Sequence, residues 1–203
     1  RVERSGAHLP DAAADLSDIA ADAALRFEPV AFEAGHTLSY DIAPDLTVRG
    51  DGERLAQAVA VLLDNAIKYA APHTEIRLDA LRQGRNACVQ VENRGADIPA
   101  DKLPHIFDRF YRADESRTGG DSFGLGLPIA KAIAEAHHGA IRCDSSGGIT
   151  RFTITLPCQA DIRALFQMTP YYWKTPKTGA KRLADLESLT TRISFRIHIF
   201  QKL

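Results

Sequence analysis

The stretch from Gly119 to Leu127 reads Gly-Gly-Asp-Ser-Phe-Gly-Leu-Gly-Leu and runs directly into a predicted amphipathic helix. Its glycines expose backbone N–H groups and let a ligand approach closely, and a helix N-terminus carries a partial positive charge. The stretch therefore suits a phosphate group. A plain flexible connection is the alternative for this stretch alone. It matches neither GxxxxGK[ST] nor a GxGxxG that follows a strand, which disfavours P-loop and dinucleotide-binding folds.

The surrounding sequence alternates helical segments with pairs of strands. Asp51 is the predicted N-cap of a long helix that ends near Tyr69, and Pro29 is expected to end an earlier one. The predicted helices are 11–26, 51–69, 103–110 and 125–138, the last with Gly139 as C-cap. The predicted strands are two within 27–40, then 46–48, 75–81, 87–92, 140–143 and 150–156. This order predicts an α/β (α+β) two-layer sandwich with helices on one face of the sheet.

Several polar residues lie where they could bind a nucleotide. Asn65 and Lys68 are three residues apart on the long helix and so share a face. An Asn carbonyl can ligate Mg²⁺, and a Lys can neutralise a phosphate. Arg109 and Arg112 lie in a long loop and could close over a polyphosphate. For each of these residues alone, the competing interpretation is a solvated polar face. Tyr69, next to Lys68, could stack on a base, and the competing interpretation there is core packing.

The order and spacing of these segments resemble sensor histidine kinases. Leu62–Tyr69 resembles their asparagine box, and Val91–Pro99 resembles their first glycine box. Leu103–Asp114 resembles the phenylalanine box, and Phe123–Lys131 the second glycine box. The resemblance covers about residues 27–158. It implies the ATP-binding catalytic domain of a two-component kinase, on the GHKL (Bergerat) fold with a mixed sheet.

The same resemblance implies a role for each matching residue. Asn65 would hold Mg²⁺ and the phosphates of ATP. The residues expected to contact phosphates are Lys68, Arg109 and Arg112. Adenine would pack on Tyr69 and Ile98, and Asn93 would read its amino group. The residues expected to shape the pocket and its mobile lid are Gly95, Gly124, Leu125, Gly126 and Leu127.

Three positions depart from the family pattern. Asn93 stands where the family usually has Asp, and an Asn can accept a hydrogen bond from adenine but carries no charge. Val61 stands where many members have a second Asn, and Val cannot ligate a metal. Ser122 replaces the leading Gly of the second glycine box. These departures leave a second hypothesis open, a pseudokinase or scaffold that binds partners without catalysis.

The acceptor histidine of such kinases lies on a helix well upstream of the asparagine box. His8 precedes Leu9-Pro10, which disfavours a helix, so the acceptor helix is expected to lie outside this chain. Residues 1–26 would be the end of the dimerisation helix and the linker. The chain opens Arg-Val-Glu-Arg and reads as a fragment. The resemblance implies a cytoplasmic part of a membrane-anchored kinase, with a homodimeric parent and a response-regulator partner.

Composition adds limits of its own. The three cysteines form no CxxC and no Cys/His metal spacing, which disfavours a disulfide framework or a zinc site. The formal net charge of the chain is −1, yet residues 159–203 carry 8 basic and 3 acidic side chains, so that residues 1–158 are acidic. The charge balance changes near residue 158, which suggests two segments of different origin.

The basic tail resembles a different family. Leu165–Trp173 and Phe195–Phe200 resemble the C-terminal end of 23S rRNA guanine-N1 methyltransferases. No S-adenosylmethionine motif precedes them, so no methyl transfer is expected. The favoured interpretation is a fused, designed or mis-joined tail, and the alternative is a basic aromatic surface for RNA. No nucleic-acid partner is otherwise expected.

Overall fold

The structure is a computed structural model that describes residues 12–111 and 124–158. Its main feature is a five-stranded mixed sheet with strand order β2-β4-β5-β7-β6. The strands are β1 (Ala13–Asp15), β2 (Thr37–Ile42), β3 (Thr47–Arg49), β4 (Glu75–Gln83), β5 (Asn86–Arg94), β6 (Ala140–Ser146) and β7 (Ile149–Pro157). The helices are α1 (Leu16–Glu33), α2 (Gly52–Tyr69) and α3 (Gly126–Ala136). The predicted strands 75–81 and 87–92 pair as the antiparallel hairpin β4–β5, and 140–143 and 150–156 pair as the hairpin β6–β7.

The sheet is mixed because β2 pairs with β4 in parallel, whereas the other pairs are antiparallel. Burial alternates along β4, so that one face of this strand carries Ile76, Leu78 and Ala80. On the opposite face Arg77 donates to Asp79 in solvent. The helices pack against the strands and close one apolar core, as expected for a two-layer sandwich.

Helix α1 departs from the sequence prediction at both ends. Residues 13–15 form a short strand that pairs with β3, and the helix begins only at Leu16. It then continues through Pro29, which was expected to end it, and occupies the predicted strand after Phe27. Proline removes one helical hydrogen bond, to the carbonyl of Leu25, whose residue is exposed. The buried face continues to Ala31, so packing against the core outweighs the lost bond.

Two other helix predictions are wrong in detail. The predicted helix over 103–110 is only a 3₁₀ turn at Leu103–His105, and Phe110 adopts a left-handed φ of 65°. At the end of α3, His138 takes the left-handed conformation, with φ 58°, instead of Gly139. Glycine is needed at 139 for a different reason. A Cβ there would lie 2.3 Å from the carbonyl oxygen of Thr155, on β7.

Within the described residues no helix is long and apolar enough to cross a membrane. The predicted tail, Arg112 and Ser122 lie outside the described residues, and so does His8.

Candidate nucleotide-binding site

The long helix α2 carries the polar residues that the sequence analysis selected. Asp51 caps it as predicted, because its Oδ1 accepts hydrogen bonds from the N–H groups of Glu53 and Arg54. Its apolar face, from Leu55 to Ala66, is buried in the core. Near its C-terminal end Asn65 is half-buried and Lys68 is exposed. The helix therefore presents an amide and an ammonium group at one end.

The start of α3 meets this end of α2. A Cβ on Gly126 would lie 3.3 Å from Cγ1 of Val61, one helical turn before Asn65. Leu125, at the N-cap position, makes no side-chain capping hydrogen bond. The first helical bond of α3 runs from the N–H of Ile129 to the Leu125 carbonyl. The N–H groups of Gly126 and Leu127 precede that bond and lack an acceptor within the helix.

The end of β5 lies against the C-terminal end of α2. The N–H of Ala71 donates to the carbonyl of Arg94 at 2.7 Å. A Cβ on Gly95 would lie 2.6 Å from the Tyr69 carbonyl oxygen and 3.6 Å from Nδ2 of Asn93. Asn93 is only 3% exposed, whereas Tyr69 is 43% exposed. Only glycine fits at 95 in this arrangement, and it brings the Asn93 amide close to the end of α2.

The segment after β5 is held by the β6–β7 turn. The N–H of Gly95 donates to the Gly148 carbonyl at 3.0 Å, and the Gly148 N–H donates to Asp97 Oδ1 at 2.8 Å. The N–H of Ile98 donates to Ser145 Oγ at 2.9 Å. Ile98 is half-buried against the core. The sequence prediction found Ile98 but missed Ser145 and Gly148, because no local pattern relates residues about fifty positions apart.

The loop before the undescribed segment 112–123 is anchored by aromatic packing. The Phe107 ring meets the Phe152 ring edge-on, with centroids 6.3 Å apart. Lys131 Nζ, from α3, lies 6.0 Å from the Phe107 ring centroid. Arg109 is exposed two residues further on.

The described residues on the two sides of 112–123 contact each other. The N–H of Phe110 donates to the Gly124 carbonyl at 3.1 Å. A Cβ on Gly124 would lie 2.9 Å from the Tyr111 carbonyl oxygen, and Gly124 has a φ of 65°. Glycine is therefore required at this closing position. Arg112 lies just beyond the described residues.

The structure thus joins the predicted residues in two groups. Val61 lies beside Gly126, which precedes Leu127 at the start of α3, and Asn65 follows Val61 by one helical turn. Tyr69, Asn93 and Gly95 meet at the end of β5. Since both groups include the last two turns of α2, a ligand of nucleotide length could contact both.

The family model for histidine kinase-, DNA gyrase B- and HSP90-like ATPases matches residues 50–160, more than half of the chain. The chain belongs to this ATPase family. The matched range contains all twelve residues predicted for the nucleotide site. ATP is therefore the ligand of this ATPase domain, and the domain is of the kind that sensor histidine kinases carry.

Similar proteins point to the same branch of the ATPase family. The sensor protein DltS of Streptococcus agalactiae is 33% identical over 70% of this chain and 36% of its own length. The sensor histidine kinase TrcS of Mycobacterium tuberculosis is 43% identical over 54% of this chain and 23% of its own length. The solved structure of the mycobacterial sensor histidine kinase MprB is 25% identical, with a TM-score of 0.63, and covers 72% of this chain and 97% of that one. The chain spans about a third of the length of DltS.

Proposed function

We propose that this domain binds ATP with Mg²⁺ and donates the γ-phosphate to a histidine on a dimerisation helix of a parent sensor kinase. The observation that carries the proposal is the meeting of α2 and α3. Gly126 and Leu127, whose N–H groups lack a helical acceptor, begin α3 where Gly126 faces Val61, and Asn65 follows Val61 by one turn of α2. An anion and a hard cation could both find ligands at such a junction.

The phosphate end of the site would consist of four residues. Gly126 and Leu127 would donate their N–H groups to phosphate oxygens, where the α3 dipole favours negative charge. Lys68 would add a full positive charge from the last turn of α2. Asn65 offers a carbonyl oxygen, which suits Mg²⁺, and this ion usually takes only one or two protein ligands besides phosphates and water. The bound ion would supply charge neutralisation between the β- and γ-phosphates.

The base end would lie at the end of β5. The nearly buried Asn93 can both donate and accept hydrogen bonds, which suits the edge of adenine. Ile98 and the half-exposed ring of Tyr69 offer apolar surface for its faces. Gly95 lets the end of β5 lie close against α2, because any side chain there would meet the Tyr69 carbonyl.

The segment that connects β5 to α3 would also contribute residues to the site, namely Arg109, Arg112, Gly124 and Leu125. Arg109 is exposed at one end, and Gly124 closes the other with its hydrogen bond to Phe110. The arginines would approach the γ-phosphate and stabilise its charge during transfer. Catalysis by these residues is therefore positioning and electrostatic stabilisation, and the nucleophile comes from the acceptor histidine of the parent kinase.

The parent kinase would be a membrane-anchored homodimer with this domain in the cytoplasm. Its partners would be the dimerisation and phosphotransfer helices and a response regulator. Support for this assignment comes from the relatives, which are sensor proteins longer than this chain.

Calorimetric titration with ADP, with and without Mg²⁺, tests nucleotide binding directly. Asn65→Ala is expected to weaken Mg²⁺-dependent binding by about tenfold, since it removes one oxygen ligand. Asp64→Ala is the matched control, because Asp64 is exposed on the neighbouring position of α2. Lack of binding by the unchanged chain at millimolar ADP would refute the proposal, and equal losses in both variants would refute the role of Asn65.

A specific observation favours a second candidate, nucleotide binding without phosphoryl transfer. Val61 places a hydrocarbon side chain against Gly126, next to the proposed phosphate site, where many family members offer a second Asn. Supplying a dimerisation-helix polypeptide of a relative with labelled ATP separates the two candidates. Labelled histidine supports the kinase, whereas ADP binding without labelling supports the pseudokinase or scaffold.

The resemblance of residues 161–203 to 23S rRNA guanine-N1 methyltransferases stays a prediction. No methyl transfer by this segment is proposed. The favoured interpretation remains a fused, designed or mis-joined tail. RNA binding by the full chain that disappears when 159–203 are deleted would favour the RNA surface instead.

A further inference from the structure

His137 links two helices at the end remote from the proposed phosphate site. It is 3% exposed, and its Nε2 accepts a hydrogen bond at 2.9 Å from the N–H of Asp51, the N-cap of α2. Its Nδ1 lies 2.7 Å from the carbonyl oxygen of Ile133, one turn earlier. A carbonyl only accepts and an N–H only donates, so Nδ1 carries the proton and Nε2 does not. One neutral tautomer satisfies both contacts.

The backbone at the start of α2 is shaped around this ring. A Cβ on Gly50 would lie 2.0 Å from Cδ2 of His137 and 2.4 Å from its Nε2. Gly50 has a φ of +144°, which side-chain-bearing residues rarely adopt. The Gly50 N–H is itself held by the carbonyl of Ala12 at 2.8 Å. The His137 ring thus fills the space that Gly50 leaves by having no side chain. The hydrogen bond to Ala12 holds this backbone segment in place.

Two contacts between α2 and α3 lie at opposite ends of this antiparallel pair. One joins His137 to Asp51, and the other joins Gly126 to Val61. They are 10 residues apart along α2 and 11 along α3, or about 15 and 16 Å at 1.5 Å per residue. Because the two separations match, both contacts form together at the axial position that α3 has along α2.

The side chains that α3 buries are mostly small. Its buried residues are Ala130, Ile133 and Ala134, of which two carry only a methyl group, and its first turn has no side-chain cap. Small side chains allow close approach but give shallow ridges. The directional hydrogen bond from the Asp51 N–H to His137 therefore adds an axial constraint that such shallow ridges provide only weakly.

We propose that His137 is a positioning residue of the nucleotide site, which fixes α3 against α2 so that its first N–H groups stand beside Asn65. The inference rests on the proposed function, because it concerns the same phosphate site from about 16 Å away. Misplacement of a binding group by about 1 Å is enough to weaken its contacts strongly.

Three substitutions test the role. His137→Ala removes both hydrogen bonds and is expected to weaken Mg²⁺–ADP binding by about tenfold. His137→Gln keeps an acceptor long enough to reach Asp51 and should recover most of the affinity, whereas His137→Asn should not. The control is Leu16→Ala, or the milder Leu16→Val, chosen to match the loss in Tm, since Leu16 is buried at the start of α1. Equal affinity of His137→Ala and the control, or equal Gln and Asn variants, would overturn the proposal.

Hydrogen exchange provides a readout that does not depend on nucleotide. The N–H of Ile129 makes the first helical bond of α3, at the end remote from His137. His137→Ala is expected to speed exchange at Ile129 at least severalfold more than the Leu16 control does. If the unchanged chain fails to bind ADP, the proposed function is wrong. The exchange measurement then still decides whether His137 positions the start of α3. Unchanged exchange at Ile129 would reject it.

Discussion

Replacement of Gly50 by alanine should destabilise the domain through the same histidine ring. The new Cβ would lie 2.0 Å from Cδ2 of His137, where carbon atoms normally stay at least about 3.5 Å apart. The ring would have to move, and the N–H of Asp51 would lose its acceptor. The backbone is also strained, because alanine would adopt the φ of +144° that Gly50 has.

These effects set the expected magnitude. Strain at a glycine-only φ costs about 1–3 kcal/mol, and an unsatisfied buried N–H costs about 1–3 kcal/mol. Gly50→Ala should therefore lower the free energy of unfolding by about 3–5 kcal/mol. His137→Ala alone should lower it by a smaller amount, about 2–3 kcal/mol, through the lost bonds and the space left behind. In the double variant the steric conflict is gone, so the two losses should overlap by about 1–3 kcal/mol.

Urea unfolding of the four proteins in this double-mutant cycle measures the overlap, provided that the m-values agree. Gly84→Ala is the matched control, since Gly84 also has a positive φ, +62°, but a Cβ added there would meet no atom within 4 Å. It should cost only the backbone strain, about 1 kcal/mol. Strictly additive losses for Gly50 and His137, or a Gly84 loss as large as that of Gly50, would refute the steric reasoning.

Three other outcomes are expected. Gly95→Ala should weaken ADP binding, measured by calorimetry, more than other substitutions with the same loss in Tm do, because the new methyl would press on the Tyr69 carbonyl at 2.6 Å. Unchanged ADP affinity would show that the site lies elsewhere. Burial, together with the neighbouring charge of Asp144, raises the pKa of the Cys143 thiol to about 12, so it stays protonated at pH 8. Mass spectrometry should show it alkylated about a thousand times more slowly than a free thiol, and Asp144→Asn should speed the reaction. Pro29→Ala should raise Tm by a few degrees, since it restores a helical N–H in α1, and an unchanged or lower Tm would contradict this.

The parts of the fold that the sequence predicted correctly depend on local signals. Asp51 begins α2 because a side-chain oxygen satisfies free N–H groups two and three residues away. Gly84 turns the β4–β5 hairpin with a positive φ that glycine adopts at no steric cost. Such signals need only a few neighbouring residues, so they are visible in the sequence itself.

The errors come from contacts that join distant segments. Pro29 reads as a helix end, yet α1 continues because Ala31 is buried against the core. Gly139 reads as a left-handed cap, but what requires glycine there is the Thr155 carbonyl on β7. The burial of an alanine and the position of a remote carbonyl depend on tertiary packing, which no window of sequence contains.

The same distinction divides the site. The placement of Asn65 and Lys68 on one helix follows from helical spacing, and the structure has it so. The bond between Ile98 and Ser145, and that between His137 and Asp51, join residues 47 and 86 positions apart. That the selected residues contact a nucleotide stays a prediction, and the sequence analysis missed residues such as Ser145 and His137, which hold the neighbouring backbone in place.

The hydrogen bond between Phe110 and Gly124 gives the connection from β5 to α3 a closed base. The entropic cost of closing a loop rises by only about 0.6 kcal/mol for each doubling of its length. Because the flanking residues are already joined by this bond, changes in the number of residues between Tyr111 and Gly124 are expected to cost the sandwich little free energy of unfolding. The domain could then serve as a scaffold for grafted loops, with nucleotide selectivity and turnover changed in the insert and folding left to the rest of the chain.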